Sequence, residues 1–147
     1  MSDDTDSTSA RDLQAMLIGA EIGRGSARVV SNCRLLSDVV IKAEFAAHSF
    51  QNIMEWEIWD RVQSVRHAST WFAPCVQISP CGLYLLQKKT EPIRLGELPE
   101  MIPAYFTDLK RENWGMLDGR PVCHDYGLLL ATENGLTRRM KRAHWVE

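Results

Sequence analysis

Charge of one sign is what this sequence most lacks: 17 lysines and arginines stand against 19 aspartates and glutamates, a net of -2 over 147 residues. A balance of that size supplies no global field to draw a nucleic acid or a membrane surface. Also missing is any C-x-x-C pair. Cys33, Cys75, Cys81 and Cys123 have no paired histidines nearby, which argues against a zinc site and leaves them as buried, reduced thiols that pack rather than react. His48, His67, His124 and His144 fall into no triad or metal spacing, and His124, beside Asp125, reads as a satisfied strand histidine, with support of Asp125 from behind as the alternative. No apolar run is long enough to cross a bilayer. The opening Met1-Ser-Asp-Asp-Thr-Asp-Ser-Thr-Ser-Ala10 is acidic and polar, without the basic flank and apolar stretch of a secretory signal. The expectation is a cytoplasmic protein with neither a membrane nor a nucleic acid as partner.

What is present suffices for one compact domain. Of the residues 45% are hydrophobic, and a chain of this length buries about two-thirds of its unfolded surface around a single core. Residues 1 to about 11 read as a disordered acidic tail. Leu13 to Ile22 either starts as a short helix or enters the first strand directly. Strands are expected at about 17 to 23, 28 to 35 and 38 to 44, with Ser37-Asp38 as the turn between the last two. From Ser49 to about Val65, Ile53, Ile58, Trp59 and Val62 fall at helical spacing with no Gly or Pro between them. Glu55 lies three, four and seven residues before Ile58, Trp59 and Val62 and shares their inward face, whereas Glu57 points elsewhere. Two more strands follow, Phe72 to Ser79 and Gly82 to Gln87, joined by Ser79-Pro80-Cys81-Gly82, and Asp118-Gly119 marks a hairpin turn. Glu97 to Phe106 allows at most a short helix interrupted by proline. The segment from Thr137 to Trp145 carries Arg138, Arg139, Lys141 and Arg142 and is expected to be a basic helix with a solvated face. The alternative for it is a docking surface for an acidic partner, with Trp145 as its apolar anchor. Trp56, Trp59, Trp71 and Trp114 are expected to pack in the core.

Against this background five short patterns occur in a fixed order: Gly23-Arg-Gly25-Ser-Ala-Arg28, Val39-Val-Ile-Lys42, Glu55 on the helix, Asp108-Leu-Lys110-Arg-Glu-Asn113, and Asp125-Tyr-Gly127. Each alone has an ordinary explanation, as a hairpin turn, a strand end, one charge on an amphipathic helix, a cap or a loop. Together they resemble the Gly-rich loop, the strand lysine and its helix glutamate, the catalytic loop and the metal loop of protein kinases. The resemblance implies an α+β, kinase-like fold, with a five-stranded antiparallel small lobe and one main helix over residues 12–92, ending in a hinge at Gln87 to Pro92 whose backbone meets adenine. It also implies ATP and magnesium as cofactors. Gly23 and Gly25 would lie over the phosphates, Lys42 would reach them and pair with Glu55 (Glu57 in reserve), Asn113 and Asp125 would hold the metal, and Asp108 and Lys110 would act on the acceptor hydroxyl and the transferred phosphoryl group.

The departures are as specific as the matches. Arg28 stands at the third glycine position, Tyr126 replaces phenylalanine, and Phe106-Thr107-Asp108 replaces H-R-D, removing the arginine that answers an activating phosphoresidue. Only Ile93 to Phe106 separates the hinge from the catalytic loop, and no A-P-E-like sequence follows Gly127. Residues 93–147 therefore read as a truncated large lobe carrying the catalytic loop, the metal loop and the basic C-terminal helix, similar to short kinase-like proteins of bacteriophages. The resemblance implies an ATP-dependent phosphotransferase acting on an unidentified acceptor, or a non-catalytic module of the same build that binds a host or partner protein. A second copy of the chain, as a homodimer covering the missing lobe, is the other partner suggested by the truncation.

Overall fold

Short runs rich in β-branched residues, separated by turns, form a single antiparallel sheet in the first half of the chain. In the computed structural model, which describes residues 3–129 and 135–146, β1 (Ile18–Arg24), β2 (Arg28–Cys33) and β3 (Val39–Glu44) form a meander. After the helices, β4 (Cys75–Ile78) and β5 (Tyr84–Lys88) complete the sheet in the order β1-β2-β3-β5-β4. Lys42 pairs with Val30 on one side and Leu85 on the other. Because successive strand side chains point to opposite faces, β3 is buried on both. Val39 and Ile41 join Cys33 in a small apolar cluster, while Lys42 projects the other way, toward α2. The turn into β5 depends on Gly82, whose positive φ of 77° and tight approach to Ile53 leave no room for a Cβ.

The main helix α2 spans Gln51–Val62, shorter at both ends than its apolar spacing predicts. His48 and Phe50 adopt left-handed backbone, which turns the chain before the helix can start. Glu44 then accepts the Asn52 N–H at 2.8 Å, serving as a cap from the neighbouring strand. Its buried face is Asn52, Glu55, Ile58 and Val62, the three-and-four spacing of an amphipathic helix. A single turn, α3 (Arg66–Ser69), follows.

Beyond β5 the chain forms two small sheets. β6 (Glu91–Pro92), β8 (Trp114–Leu117) and β9 (Arg120–Cys123) make one, and Asp118 and Gly119 turn between the last two strands with φ of 51° and 78°, as a two-residue hairpin requires. β7 (Met101–Pro103) pairs with β10 (Met140–Arg142) in the other. One apolar cluster runs through both sections of the chain. Phe72 lies at its centre, edge-on to Tyr126 at 4.9 Å and tilted against Phe106 at 5.2 Å. Phe106 meets Trp114 at 4.9 Å, and Trp114 meets Trp145 at 5.2 Å. No helix among the described residues is long and apolar enough to cross a membrane.

Three expectations are corrected. The described part of the acidic tail is not disordered: Asp3–Leu17 is one helix, α1, running directly into β1. No Gly or Pro interrupts it, and the Gln14 amide donates to the Tyr84 hydroxyl at 2.5 Å, tying it to the sheet. The basic segment is not a helix either. Lys141, Ala143 and Trp145 are half-buried while Arg142, His144 and Val146 are exposed, a period of two that suits a strand. Backbone pairing with 100–104 and the Trp145 indole donating to the Pro99 carbonyl at 3.0 Å hold it against the domain. Trp145 is thus an internal anchor. Finally, Cys81 is exposed at a turn, whereas Cys33, Cys75 and Cys123 are buried free thiols.

Candidate functional site

Lys42 and Glu55 meet where the inward faces of β3 and α2 converge. The Lys42 ammonium donates to Glu55 Oε1 and to the His124 carbonyl oxygen. Gln87, from β5, donates to the same carboxylate oxygen at 2.8 Å. Glu55 is the paired glutamate, and Glu57 faces solvent. The other oxygen, Oε2, accepts from Arg28 Nη2 at 2.9 Å, and the same nitrogen reaches Asp125 Oδ1 at 2.8 Å. Two cations and two carboxylates therefore close an electroneutral network. Burial alone would raise the Glu55 pKa, but Lys42 and Arg28 outweigh it and hold the carboxyl below its usual range. Burial likewise opposes the charge on Arg28, and Glu55 and Asp125 more than offset it, leaving the guanidinium pKa raised.

Asn52 organises the remaining atoms. Its carbonyl accepts from Arg28 Nη1 at 3.1 Å, and its amide donates to the backbone oxygens of Lys42, Gly82 and Leu83 at 3.0, 3.1 and 3.1 Å. Gly127 lets the chain after Asp125 cross the start of α2, since a Cβ there would lie 2.9 Å from the Gln51 carbonyl and 3.4 Å from Glu55 Oε2. Tyr126 turns inward, its hydroxyl donating to the Ala73 carbonyl at 2.8 Å. Asp125 stays on the surface side with its side chain half exposed.

The 108–113 loop lies next to this network. The Asn113 carbonyl accepts the His124 N–H at 2.9 Å, and the Asn113 amide approaches Asp108 Oδ2 at 3.4 Å. Asp108 and Lys110 are exposed. The Lys110 side chain has no hydrogen-bond or ion-pair partner among the described residues. By contrast, Gly23 and Gly25 take no part in the network's hydrogen bonds. Neither has positive φ, and a Cβ at either would sit in ordinary or open space. Packing does not require glycine at those positions.

His124 links the network to a second feature. Its Nε2 must donate to the Glu112 carbonyl at 2.7 Å, so its Nδ1 accepts from the Thr90 hydroxyl at 2.7 Å. Burial first, then Lys42, lowers its pKa and keeps the ring neutral. On this side lies an open cavity of about 560 Å³, lined by Ile93, Arg94, Leu95, Arg111, Trp114 and His124. Gly23, Gly25, Lys42, Glu55 and Asp125 do not line it.

A magnesium ion fits this arrangement poorly. The Asp125 oxygen that faces the network already pairs with Arg28, and both Glu55 oxygens are taken by Arg28 and Lys42. No group of three or more His, Cys, Asp or Glu arranged to hold a metal occurs among the described residues. No protein-family model matches the sequence, and no curated protein matches it.

The two depressed pKa values set a pH dependence. His124 ordinarily titrates near 6.5, so as pH falls below that value the unfolded chain gains its proton before the folded one does, and stability declines. Glu55 adds a steeper loss below its ordinary 4.5, once acid begins to protonate the carboxylate in the unfolded state first. Urea midpoints measured from pH 7.5 to 4 are expected to show both phases, and His124→Gln should remove the first while sparing the second. A flat curve between pH 7 and 5 in the parent protein would refute the assignment.

Proposed function

We propose that the chain is a kinase-like protein that binds ATP beside the Lys42–Glu55 pair and transfers its terminal phosphoryl group to the hydroxyl of an acceptor. The buried pair carries this reading. Lys42 is 3% exposed and Glu55 fully buried, and a buried ion pair is a poor stabiliser, because desolvation cancels most of its attraction. Apolar residues of similar volume would serve the core at least as well. Charge kept at such cost, with the cation also tied to the backbone just before Asp125, is what a nucleotide site needs and a core does not. Asp108, exposed and next to Asn113, would accept the hydroxyl proton, and the exposed Lys110 would meet developing phosphoryl charge.

The test is a thermal shift with ATP, followed by transfer of labelled phosphate. At ATP concentrations of about 100 Kd the fold should gain roughly 2.7 kcal/mol. Lys42→Met should lose that gain. Asp108→Asn should keep it but lose transfer by about 100-fold or more. An unchanged melting temperature for the parent protein at millimolar ATP would defeat the proposal.

One observation favours a second reading, a non-catalytic module that binds a host or partner protein. The network is already neutral and closed without a ligand, while Arg138, Arg139 and Arg142 stand exposed on and beside β10. Under this reading Asp108→Asn leaves partner binding intact, and Arg138→Glu with Arg142→Glu abolishes it. The opposite pattern returns the decision to the enzyme.

A further inference from the structure

At the third position of the Gly-rich pattern the chain has an arginine, and its side chain is built into the site. Arg28 is 5% exposed. Its guanidinium bonds Asn52 Oδ1 at 3.1 Å, Glu55 Oε2 at 2.9 Å and Asp125 Oδ1 at 2.8 Å, so β2, α2 and the loop after β9 are fastened by one group. Two of those acceptors are carboxylates, and Asn52 is itself fully buried and held by three backbone carbonyls. The guanidinium is therefore fixed in position and in charge, since arginine does not deprotonate in proteins.

We propose that Arg28 is the resident cation of this site: it occupies the place at Asp125 that a divalent ion would need, excludes metal from that carboxylate, and makes nucleotide binding independent of divalent metal. A dication at Asp125 would have to displace Arg28 from its shortest contact and then lie beside that fixed cation, with one carboxylate for itself. Magnesium gives up its water shell reluctantly and is held weakly by a single carboxylate, so the covalently attached cation wins. The Asp125 side chain is half exposed, which leaves its outer oxygen to solvent and its inner one to arginine. The ligand class follows: a nucleoside phosphate not complexed with metal. That last step rests on the nucleotide reading above, but the exclusion of metal does not.

The experiment separates the two. Mn2+ alone is titrated into the full chain and the free ion followed by electron paramagnetic resonance, with the parent, Asp125→Asn, Arg28→Gln, and Arg28→Gln with Asp125→Asn. The parent and Asp125→Asn should bind no Mn2+ up to about 1 mM. Arg28→Gln, which frees the carboxylate, should gain affinity by about tenfold or more, and adding Asp125→Asn should abolish the gain. Mn2+ bound by the parent and lost on Asp125→Asn overturns the proposal, as does a folded Arg28→Gln protein that gains nothing. Should Arg28→Gln not fold, the parent and Asp125→Asn still decide: binding in the first that is absent in the second overturns it, and no binding in either supports it. In a parallel arm, the ATP-induced thermal shift should be equal in Mg2+ and in EDTA. A shift seen only with Mg2+ also overturns the proposal, whereas no shift in either buffer defeats the nucleotide reading and leaves the role of Arg28 to the Mn2+ result.

Discussion

Glu55→Ala is expected to cost about 3–5 kcal/mol of folding stability, a large share of the roughly 5–15 kcal/mol that holds a domain folded. The side chain is fully buried and accepts from Lys42, Gln87 and Arg28. Removing it strands two desolvated cations, of which Arg28 keeps Asp125 and Lys42 keeps only a backbone carbonyl. Equilibrium urea unfolding measures the loss, and Glu57→Ala, on the exposed face of the same helix, should leave the midpoint unmoved. Glu55→Gln retains the shape but not the charge and should fall close to the alanine variant. Replacing the three buried members with apolar residues, for instance Arg28→Met, Lys42→Met and Glu55→Leu together, and leaving the half-exposed Asp125 to solvent, should recover much of the stability. A Glu55→Ala protein destabilised no more than by an ordinary surface change would mean that the charge is not buried at a cost and is not kept for function.

Asn52→Leu is expected to cost roughly 3 kcal/mol, because it takes a partner from several buried polar groups at once and a buried group left unpaired costs about 1–3 kcal/mol. The carbonyls of Lys42 and Gly82 lose the amide donor, Leu83 keeps only the Glu44 N–H, and Arg28 loses one acceptor. The apolar gain from leucine cannot offset that, since the pocket is lined by backbone oxygens. Asn52→Asp supplies a control: it keeps the acceptor for Arg28 but turns its second oxygen toward three carbonyls, so it too should destabilise, though through repulsion. A Leu variant as stable as the parent would mean that water satisfies those carbonyls as well as the amide does.

The sheet was legible because its strands are short apolar runs that turn residues bound closely. Val39 to Glu44 was expected within a residue of where it lies, and Gly82 and Asp118-Gly119 mark the turns they make. Glu55 could be preferred over Glu57 by helical spacing alone, because Ile58 and Val62 fix the buried face. The same reasoning reaches Asn52, three residues before Glu55, and the signal was there to be used. Gln87 and Thr90 lie outside it: their partners, Glu55 and His124, are 32 and 34 residues away in the chain, and no local pattern joins them. Arg28 stood out only as a mismatch, since a sequence shows that a residue breaks a pattern but not which carboxylate it finds. The basic C-terminal segment was misread because its charges suggested a solvated helix, while the alternating burial of Lys141, Ala143 and Trp145 depends on β7 as an edge to pair with.

The contact between Arg28 and Asp125 spans 97 positions of the chain, and that separation has a consequence during synthesis. A ribosome adds about 5–20 residues per second, so Arg28 emerges roughly 5–20 s before the carboxylate that completes its pairing. Over that interval the sheet and α2 can assemble, and Glu55 is available to hold both cations. The His124 carbonyl that takes the second Lys42 bond arrives only one residue before Asp125. The residues that first meet Arg28 and Lys42 are therefore made well before the loop that completes their pairing.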